Sequence, residues 1–321
     1  MKNPQVSVVI VNYNGKKLLR IVLESIKRSR FKNFEIIVVD NNSTDGSQKF
    51  LMEKYSTVRL VENKVNLAYS GINKSIKYCR GKYVLFLNND MEIEKNCIGA
   101  LVKVLESDGS VGMTAPKLVN YYNKKLVSGG TWLSRAFYNG HINDGKKSKN
   151  KIIPYLGVGL IRKTIIDAYG YIFDPDYFIY GEDVDLGLRI RLFGKKVVFV
   201  GNAIIYHMHA VTTAQHLKAS KTTYLMERNL LTSFFKNIPL SRIFIYLPYI
   251  LLFRVVAMVK DIVFLNFSGA FVRIKAILWI AVNFYKILSK RKSTQKRRKA
   301  STQFILEIFD EKYMYKKKFI V

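Results

Sequence analysis

The stretch KYVLFLNND at residues 82–90 constrains the fold more than any other part of the chain. Residues 83–87 form a wholly apolar run of strand-forming side chains, which is typical of a strand buried on both faces of a parallel sheet. Asn88, Asn89 and Asp90 follow at the carboxyl end of that strand, where open α/β sheets bind their ligands. Their oxygen atoms suit a divalent cation that carries a phosphate, and a polar turn that closes the strand is the alternative.

Three earlier segments repeat this pattern and predict strand–helix–strand units. Residues 6–11, 34–39 and 58–61 are predicted strands that are followed by polar residues, and residues 18–26 carry apolar side chains at helical spacing. Asp45 with Gln48 predicts a capped helix after the second strand, and residues 69–79 predict a helix before the fourth. Such units build parallel sheets, so the predicted fold class is α/β.

The composition predicts a globular protein with an anionic partner. Apolar residues make up 49% of the 321 residues, which excludes a disordered chain. A formal net charge of +30 favours nucleic acid, an acidic membrane or a phosphorylated substrate. Cys79 and Cys97 have neither the number of a disulfide framework nor the spacing of metal ligands, so we expect a reducing compartment. The apolar run near the N-terminus is too short for a signal peptide.

The glycine motifs that usually hold phosphates do not follow the first strand. Neither GxGxxG nor GxxxxGK[ST] is found after residue 11, so a metal at Asp90 would have to hold the phosphates instead. Asp40, at the end of the second predicted strand, is placed to accept hydrogen bonds from a base or ribose. Helix capping or turn formation is the alternative for this residue.

Five segments, in this order, resemble family 2 glycosyltransferases of the rhamnosyltransferase-like branch: SVVIVNYNG, FEIIVVDNNSTDGS, NLAYSGINKSI, GKYVLFLNND and LGVGLIRKTIIDAYGYIFDPDYFIYGEDVDLGLRIRLFGKKVVFV. The resemblance covers roughly residues 5–235. It implies a GT-A domain over residues 1–235, with a mostly parallel sheet flanked by helices. It also implies an inverting enzyme that takes a sugar from a nucleotide-diphosphate donor.

The resemblance implies a donor pocket at the strand ends. The aspartate that matches Asp40 holds the nucleobase, and the backbone that matches residues 11–13 lines the same pocket. The metal-binding motif falls on residues 88–90, so Asp90 would bind Mg²⁺ or Mn²⁺ bridging the diphosphate. Asn88 stands where many members have aspartate, which weakens the metal site. The predicted nucleotide-sugar contacts are Val11, Asn12, Tyr13, Asp40, Asn66, Asn88, Asn89 and Gly157.

The segment YGEDVDLGLRI carries the candidates for the catalytic base. Glu182, Asp183 and Asp185 lie in the first turn of a predicted helix, where the helix dipole favours carboxylates. Asp185 forms an ordinary ion pair with Arg189 four residues on. The base of the resembled family falls on Asp183, with Glu182 as the second candidate. We expect the neighbouring carboxylates to raise the pKa of Asp183, which suits a base.

Two histidines follow the predicted strand at residues 203–206. We expect only one of the two histidines, His207 or His209, to face the site. The family often has a histidine at the position of His207, which would complete the metal shell beside Asp90. His209 is then expected at the surface or behind the ligands.

The sequence also gives predictions for four other residues, two of which have two interpretations each. Gly157 and Gly159 predict close approach of the backbone to the substrate. Arg162 is predicted either to meet a phosphate or to lie in solvent. Trp132 is predicted either to contact the acceptor or to belong to the core.

The last quarter of the chain has a different composition. Apolar segments such as IFIYLPYILLF alternate with basic residues, and Arg254 ends that segment before it reaches the ~18–20 residues that span a bilayer. We predict that residues 236–321 form helices lying in the membrane interface. The basic residues at 286–299 predict contact with anionic lipid headgroups. A soluble helical subdomain with a basic tail is the alternative.

The resemblance, together with these C-terminal features, implies a peripheral enzyme on the cytoplasmic face of the membrane, active in cell-surface polysaccharide synthesis. Its donor would be dTDP-rhamnose, with UDP-hexose or galactofuranose donors as alternatives, and its acceptor a lipid-linked saccharide. Neither Trp132 nor Trp279 lies in the QxxRW signature of processive members, so we expect addition of a single sugar.

Two other classes of function remain as alternatives. A sugar-nucleotide pyrophosphorylase would need a glycine-rich basic loop where NYNGKK stands. A nucleic-acid-binding protein would carry its densest charge on a recognition element, whereas here that charge follows the apolar segments, so we expect no nucleic-acid partner.

Overall fold

A computed structural model describes residues 3–143, 151–208 and 218–312. The strands within these ranges are β1 Val6–Asn12, β2 Phe34–Asp40, β3 Arg59–Glu62, β4 Tyr83–Asn88, β5 Met91–Ile93, β6 Val111–Asn120, β7 Leu126–Ser128, β8 Thr131–Leu133, β9 Asn139–His141, β10 Lys151–Ile153, β11 Gly159–Arg162 and β12 Lys196–His207. The helices are α1 Lys16–Lys27, α2 Ser47–Lys54, α3 Cys97–Ser107, α4 Lys163–Tyr169, α5 Glu182–Leu192, α6 Ala219–Asn237, α7 Leu240–Val263, α8 Phe267–Val282, α9 Phe284–Lys296 and α10 Thr302–Leu306.

A mixed ten-stranded sheet forms the centre of the fold, and β8 pairs with β9 in a separate hairpin. β3, β2, β1 and β4 are adjacent and parallel, β11 lies antiparallel between β4 and β6, and β12 runs parallel to β6. Apolar side chains of these strands pack against α1 and α3 in one core. The predicted mostly parallel α/β sheet with flanking helices is therefore confirmed.

The strand register brings the polar strand ends together. Asn12 at the end of β1 pairs with Asp40 on β2, and Val11 pairs with Asn88 on β4. Because the carboxyl ends of parallel strands meet at one edge, the polar residues that follow them share that edge.

Two local predictions differ from the structure. The segment Ala68–Tyr78 before β4 is a 3₁₀ helix and not an α-helix, and the Ser70 and Ser75 hydroxyls each bond to a carbonyl three residues earlier. Asp45 does not cap α2, because Gly46 with φ 80° occupies that position. The carboxylate of Asp45 accepts instead from the backbone N–H groups of Lys16 and Ser47.

A buried ion cluster ties α6 and α9 to α5 and to the segment that precedes it. Lys236 Nζ lies 2.6 Å from carboxylate oxygens of both Asp174 and Asp185, and all three side chains are 0% exposed. Lys290 on α9 also pairs with Asp174. Since a buried charge is stable only when it is paired, this cluster fixes the position of α6 against α5.

Helix α7 is longer than the sequence pattern indicates. Its 24 residues include an 18-residue window of mean hydropathy 1.9, which makes it the one helix of the described ranges that is long and apolar enough to cross a bilayer by itself. Arg254 does not interrupt its outer face, because the guanidinium is buried and bonds to the carbonyl oxygen of Ala136. The prediction that Arg254 ends the apolar stretch is wrong for this reason, and only 22% of the window is buried.

Several basic side chains of the segment at residues 286–299 form contacts within the protein. Lys286 and Lys290 pair with Asp176, and Arg291 donates to the carbonyl oxygens of Phe235 and Ile238. These contacts hold α9 against the rest of the chain, so fewer of its cations remain for lipid headgroups than the sequence predicts.

Candidate active site

Side chains from β4, β12 and α5 surround a cavity of about 460 Å³. A volume in this range is typical of sites for small ligands. Half of the predicted site residues line it, namely Asn88, Asp90, Gly157, Glu182, Asp183 and His207. The structure therefore brings together residues that lie more than a hundred positions apart in the sequence.

Asp90 and His207 form the part of the cavity that fits a metal. Asp90 is 0% exposed, and neither carboxylate oxygen has a hydrogen-bond donor among the described residues. His207 Nε2 lies 3.2 Å from Asp90 Oδ2 because β12 pairs with β5, which sets His207 opposite Met91. A buried carboxylate without donors is costly unless a cation neutralises it, and carboxylate with imidazole is a good donor set for Mn²⁺.

Asn88 contributes to the same wall through Tyr69. Its Nδ2 donates to Tyr69 Oη at 2.9 Å, which fixes the orientation of the amide. Within residues 3–143, 151–208 and 218–312 no cluster of three His, Cys, Asp or Glu side chains could hold a metal. A cation here would accordingly have two strong protein ligands and would take further oxygens from the diphosphate and water.

Asp183 faces the cavity from the first turn of α5. Its side chain is half-buried, and burial raises its pKa to about 6. Burial, followed by the negative charge of Asp183, raises the pKa of Glu182 well above its usual range. A Cβ atom added to Gly157 would lie 3.6 Å from Asp183 Oδ2, an ordinary van der Waals contact, so Gly157 lies directly beside this carboxylate. The predicted rise in the pKa of Asp183 is found, but its main cause is burial and not the neighbouring carboxylates.

A strained backbone segment presents these two carboxylates. Tyr180 and Gly181 have φ angles of 68° and 79°, and a left-handed conformation is uncommon for tyrosine. Asn229 on α6 donates from Nδ2 to the carbonyl oxygens of Ile179 at 3.1 Å and Tyr180 at 2.6 Å. The strain is thus maintained by a buried side chain from the C-terminal side of the site.

Asp40 and Asn12 belong to a closed hydrogen-bond network at the strand ends. Asp40 is 0% exposed and accepts four hydrogen bonds, from Asn12, Gln48 and both the N–H and the hydroxyl of Ser43. Asn12 also accepts from Asn89 Nδ2 at 2.8 Å. This network links the ends of β1 and β2 to the segment of residues 88–90. A direct bond from Asp40 to a nucleobase would require one of these four bonds to be exchanged.

The remaining predicted nucleotide contacts lie near this network and not on the cavity wall. The carbonyl oxygen of Val11 accepts from the N–H of Asn89, and Tyr13 is 41% exposed. Asn66 accepts from the N–H of Ala68 and shapes a turn. His209 lies outside the described residues.

Gly159, Arg162 and Trp132 each have a structural role. A Cβ atom at Gly159 would lie 2.5 Å from the carbonyl oxygen of Thr114, so this glycine allows β11 to approach β6 and its predicted approach to substrate is wrong. Arg162 donates to the carbonyl oxygens of Val111 and Leu105, so it neither meets a phosphate nor lies in solvent. Trp132 is 1% exposed and packs in a small core cluster, as its second interpretation predicts.

Sequence reasoning missed residues that surround the cavity. Tyr69 lines the cavity and its hydroxyl accepts from Asn88, and burial, with the charges of Glu182 and Asp90, raises its pKa. Tyr155 and His141 also line the cavity, and His141 Nδ1 lies 2.9 Å from Ser128 Oγ. Tyr69 lies in the 3₁₀ helix, His141 in β9 and Tyr155 after β10, and no sequence motif gives these three side chains a role at the site.

Comparisons with known proteins agree with this architecture. Residues 7–170, just over half of the chain, match the profile of glycosyl transferase family 2. An N-acetylglucosaminyl-diphospho-decaprenol L-rhamnosyltransferase of Mycobacterium tuberculosis is 26% identical over 253 residues, covering 68% of this chain and 82% of that protein. The O-antigen biosynthesis protein RfbC of Myxococcus xanthus is 27% identical over 222 residues, covering 64% of this chain but only 17% of that protein.

A solved structure shows the same fold. GalNAc-T7, determined with UDP, GalNAc and Mn²⁺, superposes with a TM-score of 0.70 at 16% identity, covering 98% of this chain and 57% of that one. The resemblance stated from the sequence motifs is confirmed, and so is the GT-A fold. The chain belongs to glycosyl transferase family 2 and is a glycosyltransferase.

Proposed function

We propose that this glycosyltransferase moves one sugar, with inversion, from a nucleotide-diphosphate donor to a lipid-linked saccharide in cell-surface polysaccharide synthesis. One observation carries the proposal. A buried carboxylate without donors, Asp90, and a carboxylate of raised pKa, Asp183, line the same cavity. The first suits a cation that holds the diphosphate, and the second suits a base that deprotonates the acceptor.

In this proposal Asp183 acts as the base, and Glu182 is its neighbour on the cavity wall. The pKa of Glu182 is raised further because it is more deeply buried and feels the charge of Asp183. Near neutral pH the ionised member is therefore Asp183. It accepts the proton of the acceptor hydroxyl while that oxygen attacks the anomeric carbon from the face opposite the leaving diphosphate.

Asp90 and His207 hold Mg²⁺ or Mn²⁺ in this proposal. The cation neutralises charge on the departing diphosphate when it is bound. Asn88, held by Tyr69, orients its amide beside the metal site. The structure of GalNAc-T7, which has the same fold, was determined with Mn²⁺ and UDP, and this supports the choice of cation.

The donor is proposed to be dTDP-rhamnose, with a UDP-hexose as the alternative. The mycobacterial relative is named a rhamnosyltransferase, whereas GalNAc-T7 was determined with UDP. In both cases the network of Asp40, Asn12 and Asn89 shapes the side of the site where the nucleotide lies.

The acceptor is proposed to reach the enzyme from the cytoplasmic leaflet, with residues 1–235 catalytic and residues 236–321 associated with the membrane surface. The outer face of α7 and α8 is unusually apolar, and Phe264 and Leu265 between them are 72% and 75% exposed. The mycobacterial relative is named for a diphospho-decaprenol substrate, which supports a lipid-linked acceptor. Exposed apolar surface of this extent marks an interaction site.

Transfer assays with radiolabelled dTDP-rhamnose, UDP-glucose, UDP-galactose and UDP-galactofuranose test the donor and the metal together. We expect one donor to be turned over, and EDTA to abolish the turnover. Turnover that persists in EDTA would contradict the metal site, and the absence of donor hydrolysis or transfer with every donor would contradict the choice of donors.

A further inference from the structure

A second cavity of about 370 Å³ lies beside the active-site cavity. It is enclosed by α6, α7, α8 and the residue that begins β9, and it shares Asn139 and Met226 with the active-site cavity. We call it the α6–α8 groove. The two cavities are therefore neighbours that share these two lining residues as a common wall.

One side of helix α7 forms the long wall of the α6–α8 groove. The residues are spaced as one face of a helix and comprise Phe253, Val256, Ala257, Lys260 and Asp261. From the first to the last this face extends about 12 Å, at 1.5 Å per residue. It ends one turn before the exposed apolar tip, where Phe264, Leu265 and Phe267 are 72%, 75% and 61% exposed. The groove thus runs from the catalytic side towards the most apolar surface of the protein.

The charged residues that line the groove, together with Arg254, which pairs with one of them, comprise three cations and two acids. Glu227 pairs with Arg254 at 3.0 Å and with Arg273, and Arg273 pairs with Asp261 at 2.8 Å. These two acids and two arginines cancel. Lys260 also lines the groove, and it has no ion-pair partner within residues 3–143, 151–208 and 218–312. Its ammonium group lies near the Phe264 ring, at the apolar end.

We infer that the α6–α8 groove binds the lipid-diphosphate end of the acceptor. The inference rests on the proposed function. The diphosphate lies at Lys260, and the alkyl chain leaves across the apolar tip between α7 and α8. The accepting sugar reaches Asp183 past Asn139 and Met226, the residues that line both cavities. The combination of one unpaired cation, an apolar helix face and access to the base matches the three parts of such a ligand.

Farnesyl diphosphate tests the groove without requiring knowledge of the sugar. Its binding to the full chain is measured by calorimetry in EDTA, so that the metal site takes no part. Ala257→Trp fills the groove, and Lys260→Ala removes the cation. Val255→Trp is the matched control, because Val255 lies on the same helix but is not part of the wall and is 49% exposed. We expect the first two changes to weaken binding at least tenfold and the control to leave it unchanged.

Several results would overturn the inference. Equal binding to wild type and Ala257→Trp would show that the groove is not the site, and equal binding of farnesol and farnesyl diphosphate would exclude a diphosphate contact at Lys260. Binding of UDP or dTDP with Mn²⁺ is measured on the same variants and is expected to be unchanged. Nucleotide binding without farnesyl diphosphate binding would refute this inference alone. Farnesyl diphosphate binding without nucleotide binding would refute the proposed function and leave the groove as a lipid-diphosphate site.

Discussion

Asp40 and Asp90 are both fully buried, and both follow strands that flank β1, yet their surroundings are opposite. Asp40 accepts four hydrogen bonds from protein groups, whereas Asp90 has no donor among the described residues. Burial therefore does not distinguish a structural carboxylate from a ligand-binding one. The number of donors around the carboxylate does, because a buried charge without donors needs an external cation.

A second contrast, in pKa and not in the number of donors, is found within one turn of α5. Asp185 is buried, but the charges of Lys236 and Arg189 outweigh burial and lower its pKa. Asp183 faces the cavity, and burial raises its pKa. We refer to Asp90 and Asp183 as the open carboxylates and to Asp40 and Asp185 as the closed carboxylates. The open pair is predicted to serve catalysis and the closed pair to serve stability.

The largest predicted effect is on turnover. Asp183→Asn removes the base, and loss of general-base catalysis should lower kcat by about 10²- to 10⁴-fold. The free energy of unfolding should not fall, because the change removes a carboxylate whose ionisation is disfavoured by burial. Steady-state transfer assays and denaturant unfolding measure the two quantities. Asp167→Asn on the exposed face of α4 is the control, and equal turnover in both variants would exclude Asp183 as the base.

The second-largest predicted effect is a loss of stability, and it concerns the closed carboxylate Asp185. Lys236→Met leaves Asp185 and Asp174 without their shared cation, which should cost about 3–5 kcal/mol of unfolding free energy. Urea unfolding measures this loss. Lys292→Met on the exposed face of α9 should change stability little. A loss in the Lys236 variant no larger than in this control would show that the cluster does not hold α6 on α5.

A smaller loss of stability is expected at Asp40. Asp40→Ala leaves the donors of Asn12, Ser43 and Gln48 without their acceptor, and unsatisfied buried donors cost about 1–3 kcal/mol. Asp90→Ala should not destabilise the metal-free protein, because it removes a carboxylate that lacks donors. Thermal unfolding of both variants in EDTA compares them directly, and a larger loss in Asp90→Ala would reverse the distinction between open and closed carboxylates.

The smallest effect is the dependence of turnover on pH. Because the raised pKa of Asp183 is about 6, the base is ionised above that pH and kcat should be nearly constant there. Below it, kcat should fall by about tenfold per pH unit as the base is protonated. Asp185, whose pKa is lowered, should not titrate in this window. A kcat that stays constant down to pH 4.5, with the donor saturating, would exclude a base of raised pKa.

The strands and their polar ends could be predicted because each depends on local pattern. The apolar run at residues 83–87 and the polar tripeptide that follows it are adjacent in the chain, and the parallel register places them beside Asn12 and Asp40. The pairing of His207 with Asp90 could be proposed only through the family resemblance, because it depends on how β12 meets β5.

Features set by tertiary packing could not be predicted. The sequence does not show that Arg254 turns inward to Glu227, so α7 was divided into shorter apolar pieces. Gly159 is predicted from its chemistry to approach the substrate, and Arg162 to meet a phosphate or lie in solvent, but close packing against β6 and the end of α3 decides their roles. Asn229 carries no motif at all, and its contact with the strained segment depends on the packing of α6.

Calorimetric titration of UDP and dTDP, with and without Mn²⁺, into wild type and Asp90→Ala tests the central claim most directly. If Asp90 is an open carboxylate that binds a cation, one nucleotide will bind wild type in a manganese-dependent way and will not bind the folded variant. Nucleotide binding that is indifferent both to manganese and to the loss of Asp90 would contradict the claim and would leave the missing donors around this carboxylate without a catalytic explanation.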